Sequence, residues 1–200
     1  MDTKRFIGLE KAFSSKLRHE NRDGKDVIVK QVDARERENE IFFHEQLKQA
    51  GLSAMEVVSD DEGLLVTFIE GAETLGDKET PDRYRSLGAE MKKLHKITFP
   101  KTFFVDGQGV RQETDWKRFV EERLVFAAQR QKEREGFGEK TVRQMQKIVA
   151  EKVVGFNGSP SLLHGDLHAN NVLIKGSDMF LFDKADQIAA GDPLYDLSLI

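Results

Sequence analysis

Between Leu162 and Ile174 the chain reads LLHGDLHANNVLI. His164, Asp166, His168, Asn170 and Asn171 stand close together there, enclosed by apolar residues that want burial. Carboxylate and amide oxygens are ligands for a hard cation, and a carboxylate in a loop is a proton acceptor. The next residues, VLIK and MFLF, read as two short strands separated by a GSD turn. With the turn centred near Ser177, Asn171 and Asp183 lie equidistant from it. They are expected to face each other across the ladder, with side chains about 5 Å apart. Two such oxygens suit magnesium, which takes one or two protein oxygens and completes its shell with water and phosphate. Asp166, in the loop that enters the hairpin, is placed to accept or orient the proton of a hydroxyl beside that metal. These are the requirements of phosphoryl transfer.

A second pair of charges stands near the amino terminus. SKLRHE, the turn NRDG and DVIVKQV read as a hairpin. Alternation puts Ile28, Lys30 and Val32 on one face, so a lysine sits where burial is expected. A helix follows, roughly 35–50, closed by Gly51. Its apolar stripe is Phe43, Leu47 and Ala50, and Glu40 shares that stripe. A lone buried charge is costly. Paired strand against helix, Lys30 and Glu40 satisfy each other, and a lysine so held is placed to grip a nucleotide's phosphates.

The elements that must carry these groups divide at about residue 70. MEVVS and GLLVTFIE complete a small sheet around the one helix. Beyond it 81–97, 115–135 and 140–154 read as helices, the second N-capped by Asp115. Its buried stripe is expected to include Trp116, Phe119, Val120 and Leu124, with Trp116 in the core. His19, His44 and His95 show no ligand spacing, and Asp186 is read as a surface charge.

The 200-residue chain is 38% hydrophobic and 33% charged with net charge −4, enough apolar content for a core and no footprint for nucleic acid. It has no cysteine, which excludes disulfides and thiolate metal sites and suits a reducing compartment. The start MDTKRFIGLE is not a secretory signal, and the longest apolar stretches are too short to span a bilayer. The expectation is a cytoplasmic protein with no membrane, nucleic-acid or obligate protein partner.

VIVKQV, the glutamate of ENEIFFHEQL, HGDLHANN followed by a hairpin, and FLFDKADQIAAGDPLYDLSLI together resemble the aminoglycoside phosphotransferase and choline kinase family, which has the protein-kinase-like fold. The resemblance implies Asp166 as catalytic aspartate, Asn171 and Asp183 as magnesium ligands, Lys30 as the phosphate-binding lysine and Glu40 as its helix partner. It implies that the backbone of the hinge, Thr67 to Gly71 with Phe68, Ile69 and Glu70, binds the nucleotide base. It further implies that His164 and Asp196 brace the catalytic loop, and that Ser14 and Ser15 turn the hairpin over the phosphates. The cofactors so implied are ATP (or GTP) and Mg2+. The acceptor is a small-molecule hydroxyl, in a family whose substrates include aminoglycosides, choline, methylthioribose, homoserine and ketosamines. The chain departs from the family by lacking a glycine-rich consensus before Lys30 and prolines after the first helix.

The expected architecture is thus α+β and two-lobed. A β-rich N-terminal nucleotide-binding lobe with one helix spans 1–70. A mainly helical C-lobe, 71–200, bears the catalytic loop and metal-binding hairpin and is incomplete at its C-terminus, with an apolar patch exposed beside DPLYDLSLI. The competing reading is a catalytically silent nucleotide-binding or protein-interaction module derived from such a kinase.

Overall fold

The computed structural model of the chain describes residues 17–135, 140, 143–144, 147, 151, 156–184 and 188–198. Ser14, Ser15, Asp186 and most of the expected 140–154 helix lie outside the described residues.

The first hairpin forms as its sequence dictates. Strands β1 (Leu17–Arg22) and β2 (Lys25–Lys30) are joined by Asp23 and Gly24, both at positive φ, the backbone that a two-residue turn needs to match the twist of its strands. Strands β3 (Val57–Asp60) and β4 (Gly63–Thr67) complete an antiparallel sheet in the order β1-β2-β4-β3.

Helix α1 (Ala34–Gln49) follows β2 and lies against β3. The Asp33 carboxylate accepts from Glu36 N–H at 2.8 Å, capping the start. At the other end Gly51 adopts φ +69, while Leu52 N–H donates to Leu47 O and Gly51 N–H to Lys48 O. That is a Schellman closure, which satisfies carbonyls the helix leaves over. Phe43 and Leu47 are fully buried, yet their neighbours are largely in the second lobe: Leu87, Met91 and Leu94 of α2 (Pro81–Leu94), with Leu162, Leu167 and Val172. One apolar core therefore joins α1 to the catalytic half. Each such side chain contributes about 1.5–3 kcal/mol on burial.

The second lobe carries more sheet than its helical periodicity announces. Strand β5 (Glu73–Thr74) pairs with β9 (Val172–Lys175), which pairs with β10 (Asp178–Leu181). A hairpin absent from the sequence reading, β6 (Phe103–Val105) and β7 (Arg111–Glu113), joins β11 (Ala190–Gly191) and β8 (Ser161–Leu162) in the order β7-β6-β11-β8. The long helix α3 (Trp116–Glu135) is capped by Asp115, which accepts from Arg118 N–H at 2.9 Å. Trp116 packs in a cluster with Leu163 and Ile188, as its type suggests. Leu124 does not join the buried stripe: it is 38% exposed beside exposed Val125 and Phe126. The last described helix is α4 (Leu194–Leu197), where Leu194 and Leu197 are exposed. Among the described residues no helix is long and apolar enough to cross a membrane.

Candidate active site

The catalytic loop is built on backbone hydrogen bonds to one buried carboxylate. Asp196, fully buried on α4, accepts from the N–H groups of His164 (2.9 Å) and Gly165 (2.8 Å), and pairs with His95 Nε2 at 3.1 Å. Burial would raise its pKa, but the His95 contact and these backbone donors hold it below the usual carboxylate range. Gly165 sits at φ +84, where a side chain would strain the turn. The loop's tightness thus explains both the glycine and the distant aspartate. His164 is buried and, disfavoured by desolvation, titrates below its ordinary value. Its Nε2 contacts Phe182 O at 2.8 Å, and its Nδ1 accepts from Asp166 N–H at 3.3 Å. A neutral ring with the proton on Nε2 satisfies both contacts.

Asp166 emerges from this frame half-buried. Asn171, fully buried, ends a 3-10 turn (Ala169–Asn171) and donates its Nδ2 to Asp166 O at 2.9 Å and more weakly to Oδ2 at 3.4 Å. The other oxygen of that amide, Oδ1, is buried without a hydrogen-bond partner. His168 approaches Asp166 at 3.8 Å.

The hairpin register differs from the expectation by one residue. Asp178 pairs with Lys175 and Leu181 with Val172, so the turn is Gly176–Ser177 alone. Gly176 takes φ +62 to close it, and Asp178 belongs to β10. Asn171 consequently lies opposite Phe182, whose N–H donates to Asn171 O at 3.2 Å. Asp183 is one residue further on and leaves the ladder in the left-handed region, φ +57. Aspartate tolerates that conformation better than most residues, and it redirects the side chain where strict alternation would not.

Asp183 meets the first lobe. Its carboxylate pairs with Lys30, which is 3% exposed and also contacts Glu36 at 2.7 Å. Glu40 accepts Asp183 N–H at 3.1 Å and contacts His44 Nε2 at 3.2 Å, so the helix glutamate grips the backbone of the metal-side loop. Its own pKa is lowered: burial opposes this, but the His44 bond and the charge of Lys30 outweigh it. The structure therefore gathers Lys30, Glu40, Asp183, Asn171 and Asp166, and adds Glu36 and His44. Both were legible in principle, since 36, 40 and 44 share one helix face at intervals of four.

Three carboxylates around one ammonium leave negative charge in excess. Lys30 is pushed up: burial opposes that, but Asp183 and Glu40 outweigh it. Asp183 is also pushed up, by burial first and then by repulsion from Glu40 and Glu36 beyond what Lys30 offsets. Both directions follow from one cation shared among several anions.

The hinge segment follows β4. Phe68 N–H donates to Asp26 O at 2.9 Å, Ala72 N–H to Ile69 O at 3.2 Å, and Gly71 turns at φ +74. Ile69 packs in an apolar cluster with Met55, Leu173 and Phe182, which joins first-lobe strands to the β9–β10 hairpin. Glu70 is exposed.

Among the described residues an antiparallel sheet with one helix, followed by the 164–171 loop and a hairpin, has the two-lobed protein-kinase-like fold. The family model described as the phosphotransferase enzyme family matches residues 6–200, and the chain belongs to that family. No curated protein matches the chain. Among solved structures it is similar to a putative fructosamine-3-kinase from Thermobifida fusca YX-ER1, with TM-score 0.67 and 18% identity over 92% of this chain and 72% of that one. A putative fructosamine-3-kinase from Haemophilus somnus 129PT gives TM-score 0.64 and 18% identity over 94% and 67%. The aminoglycoside phosphotransferase APH(4)-Ia, in a ternary complex with ADP and hygromycin B, gives 0.58 and 19% over 100% and 76%.

Proposed function

We propose that the chain transfers the γ-phosphoryl group of ATP (or GTP) to a hydroxyl of a small molecule, with an amino sugar, ketosamine or amino alcohol as the acceptor class. The observation that carries this reading is that Asp166 and Asn171, hydrogen-bonded within one loop, stand beside the segment that bears Asp183, whose carboxylate in turn pairs with Lys30 of the first lobe. We place the lobe boundary between Glu70 and Gly71, with the nucleotide entering beside the hinge.

Magnesium fits the residues present. The unpartnered Asn171 Oδ1 is an oxygen in want of a positive partner, and the carboxylate excess around Lys30 marks the place as a cation receptor. Asn171 Oδ1 and the Asp183 carboxylate would hold it, and when bound it would neutralise charge on the phosphates. Lys30, protonated, would bind phosphate oxygens. Glu36 and Glu40 keep the ammonium aimed and the Asp183 backbone fixed. Asp166 Oδ accepts or orients the proton of the attacking hydroxyl, while Asn171 Nδ2 and His164 Nδ1 hold its peptide in place. Catalysis on this account is positioning and charge compensation more than covalent chemistry. The structural neighbours named for fructosamine and bound to hygromycin B support a polyhydroxylated, amine-bearing acceptor.

The test is transfer of labelled γ-phosphate from ATP or GTP to a panel of fructosamines, aminoglycosides and amino alcohols. Labelled product with at least one acceptor is expected. Nucleotide binding with no transfer to any acceptor or to water would favour the silent-module reading instead.

A further inference from the structure

Lys184 follows Asp183 and is the one fully buried lysine among the described residues, at 0% exposure. Its ammonium donates to His164 O and to Ile188 O, each at 3.1 Å, and lies 5.9 Å from the ring centroid of Phe43. These contacts belong to three segments: the catalytic loop, the chain returning from the metal-side loop, and helix α1. A methionine would fill nearly the same volume without the cost of burying a charge. What the ammonium adds is direction, because it fixes two carbonyls at hydrogen-bonding distance from one point.

Those carbonyls flank the chemistry. His164 is two residues before Asp166, and Lys184 is the neighbour of Asp183. His164 makes the second tie between the same segments, through Phe182 O and Asp166 N–H. That double contact needs a neutral ring, which burial favours and the nearby charge of Lys184 reinforces.

We propose that Lys184 is a positioning residue for phosphoryl transfer: by gripping the carbonyls of His164 and Ile188, its ammonium holds the Asp166 loop and the Asp183 loop at a fixed separation. The inference rests on the function proposed above. It assigns to Lys184 no contact with nucleotide or acceptor, so its effect belongs in kcat and not in nucleotide affinity.

The experiment compares the full chain with Lys184→Met and Lys184→Gln. It reads four quantities: thermal midpoint, the Kd for ADP with magnesium, kcat and KM for transfer, and amide hydrogen exchange at Gly165 and Asp166. Lys184→Met is expected to fold and to keep Kd and KM within about threefold of the parent. Its kcat should fall about 10- to 100-fold, the range that a displaced catalytic group produces. Exchange at Gly165 and Asp166 should rise about tenfold or more while the rest of the core stays protected. Lys184→Gln, which can still donate to a carbonyl, should fall between parent and Met. A Met variant with kcat within about twofold of the parent overturns the proposal. So does failure of both variants to fold, which would make Lys184 a core-stability residue. If the parent itself transfers no phosphate, the proposed function fails, and exchange at Gly165 and Asp166 then decides alone: parent-like exchange in the Met variant overturns the clamp.

Discussion

Two charge networks lie on neighbouring strands of the same small sheet, and they do opposite things. Around Arg22 on β1, Glu20 and Glu62 each approach within 2.9 Å, Asp60 joins them, and Arg18 reaches Glu62 at 2.8 Å. Arg18 and Glu62 are exposed, and Arg22, Glu20 and Asp60 are half-buried. Around Lys30 on β2 gather Glu36, Glu40 and Asp183; Lys30 and Glu40 are buried, and Glu36 and Asp183 are half-buried. The surface set is balanced by solvent and screened by salt, so its geometry is permissive. The set around Lys30 has less solvent at its centre to absorb its excess charge, so that charge shifts pKa values and aims backbone groups. Each set gathers three carboxylates about one basic side chain; the dielectric decides how strongly they act on one another.

The largest expected break in this comparison is at the reacting group. Asp166→Asn should lower turnover about 10²- to 10⁴-fold while leaving nucleotide affinity unchanged, as for loss of a positioned acid–base group. Steady-state kinetics beside calorimetric nucleotide binding would check it. Turnover equal to the parent, with chemistry rate-limiting, would remove Asp166 from its role.

Asp196→Asn should cost about 3 kcal/mol in urea denaturation, because it replaces one of the two buried oxygens that accept from His164 and Gly165 with a donor and removes the negative charge beside His95. A variant as stable as the parent would show that the loop does not depend on that carboxylate.

Smaller effects should appear with pH. The folded pKa of His164 lies below its ordinary value of about 6.5, so the unfolded chain takes up the proton first. Its share of stability should decline as pH falls below about 6.5 and level off once the folded value is passed. Asp196, depressed below about 3.9, contributes stability that is present above that value and lost as pH falls through its folded pKa. His164→Asn should erase the first decline and keep the second, as followed by chemical denaturation across pH.

The smallest effect should fall on the surface set. Arg22→Ala should leave both turnover and the denaturation midpoint at parent values. A clear loss of activity would mean that the hydrated network is coupled to the site after all.

The difference between the networks also governs what could be read from the sequence. HGDLHANN, the hairpin after it and the misplaced charges Lys30 and Glu40 were legible, because polar residues inside apolar patterns violate a strong rule. The helix caps at Asp115 and Gly51 were legible for the same local reason. The one-residue error in the β9–β10 register came from counting Asp178 as turn; aspartate suits both a turn and a strand end, and only the φ of Gly176 selects the two-residue loop. Partners separated by most of the chain were not legible: His95 with Asp196, and α1 packing chiefly on the second lobe. The β6–β7 hairpin was missed because three-residue strands show no periodicity. Lys184 was overlooked although it follows an apolar run next to Asp183, where a buried cation could have been suspected.

The central proposal is that the carboxylates around Lys30 receive magnesium and Lys30 itself the phosphates. Calorimetric titration of ADP into the parent and into Asp183→Ala, with and without magnesium, measures this directly. Magnesium should tighten ADP binding to the parent at least about tenfold, or 1.4 kcal/mol, and should give no such gain in Asp183→Ala. Equal ADP affinity with and without magnesium in the parent, or a magnesium gain that survives in Asp183→Ala, would contradict it.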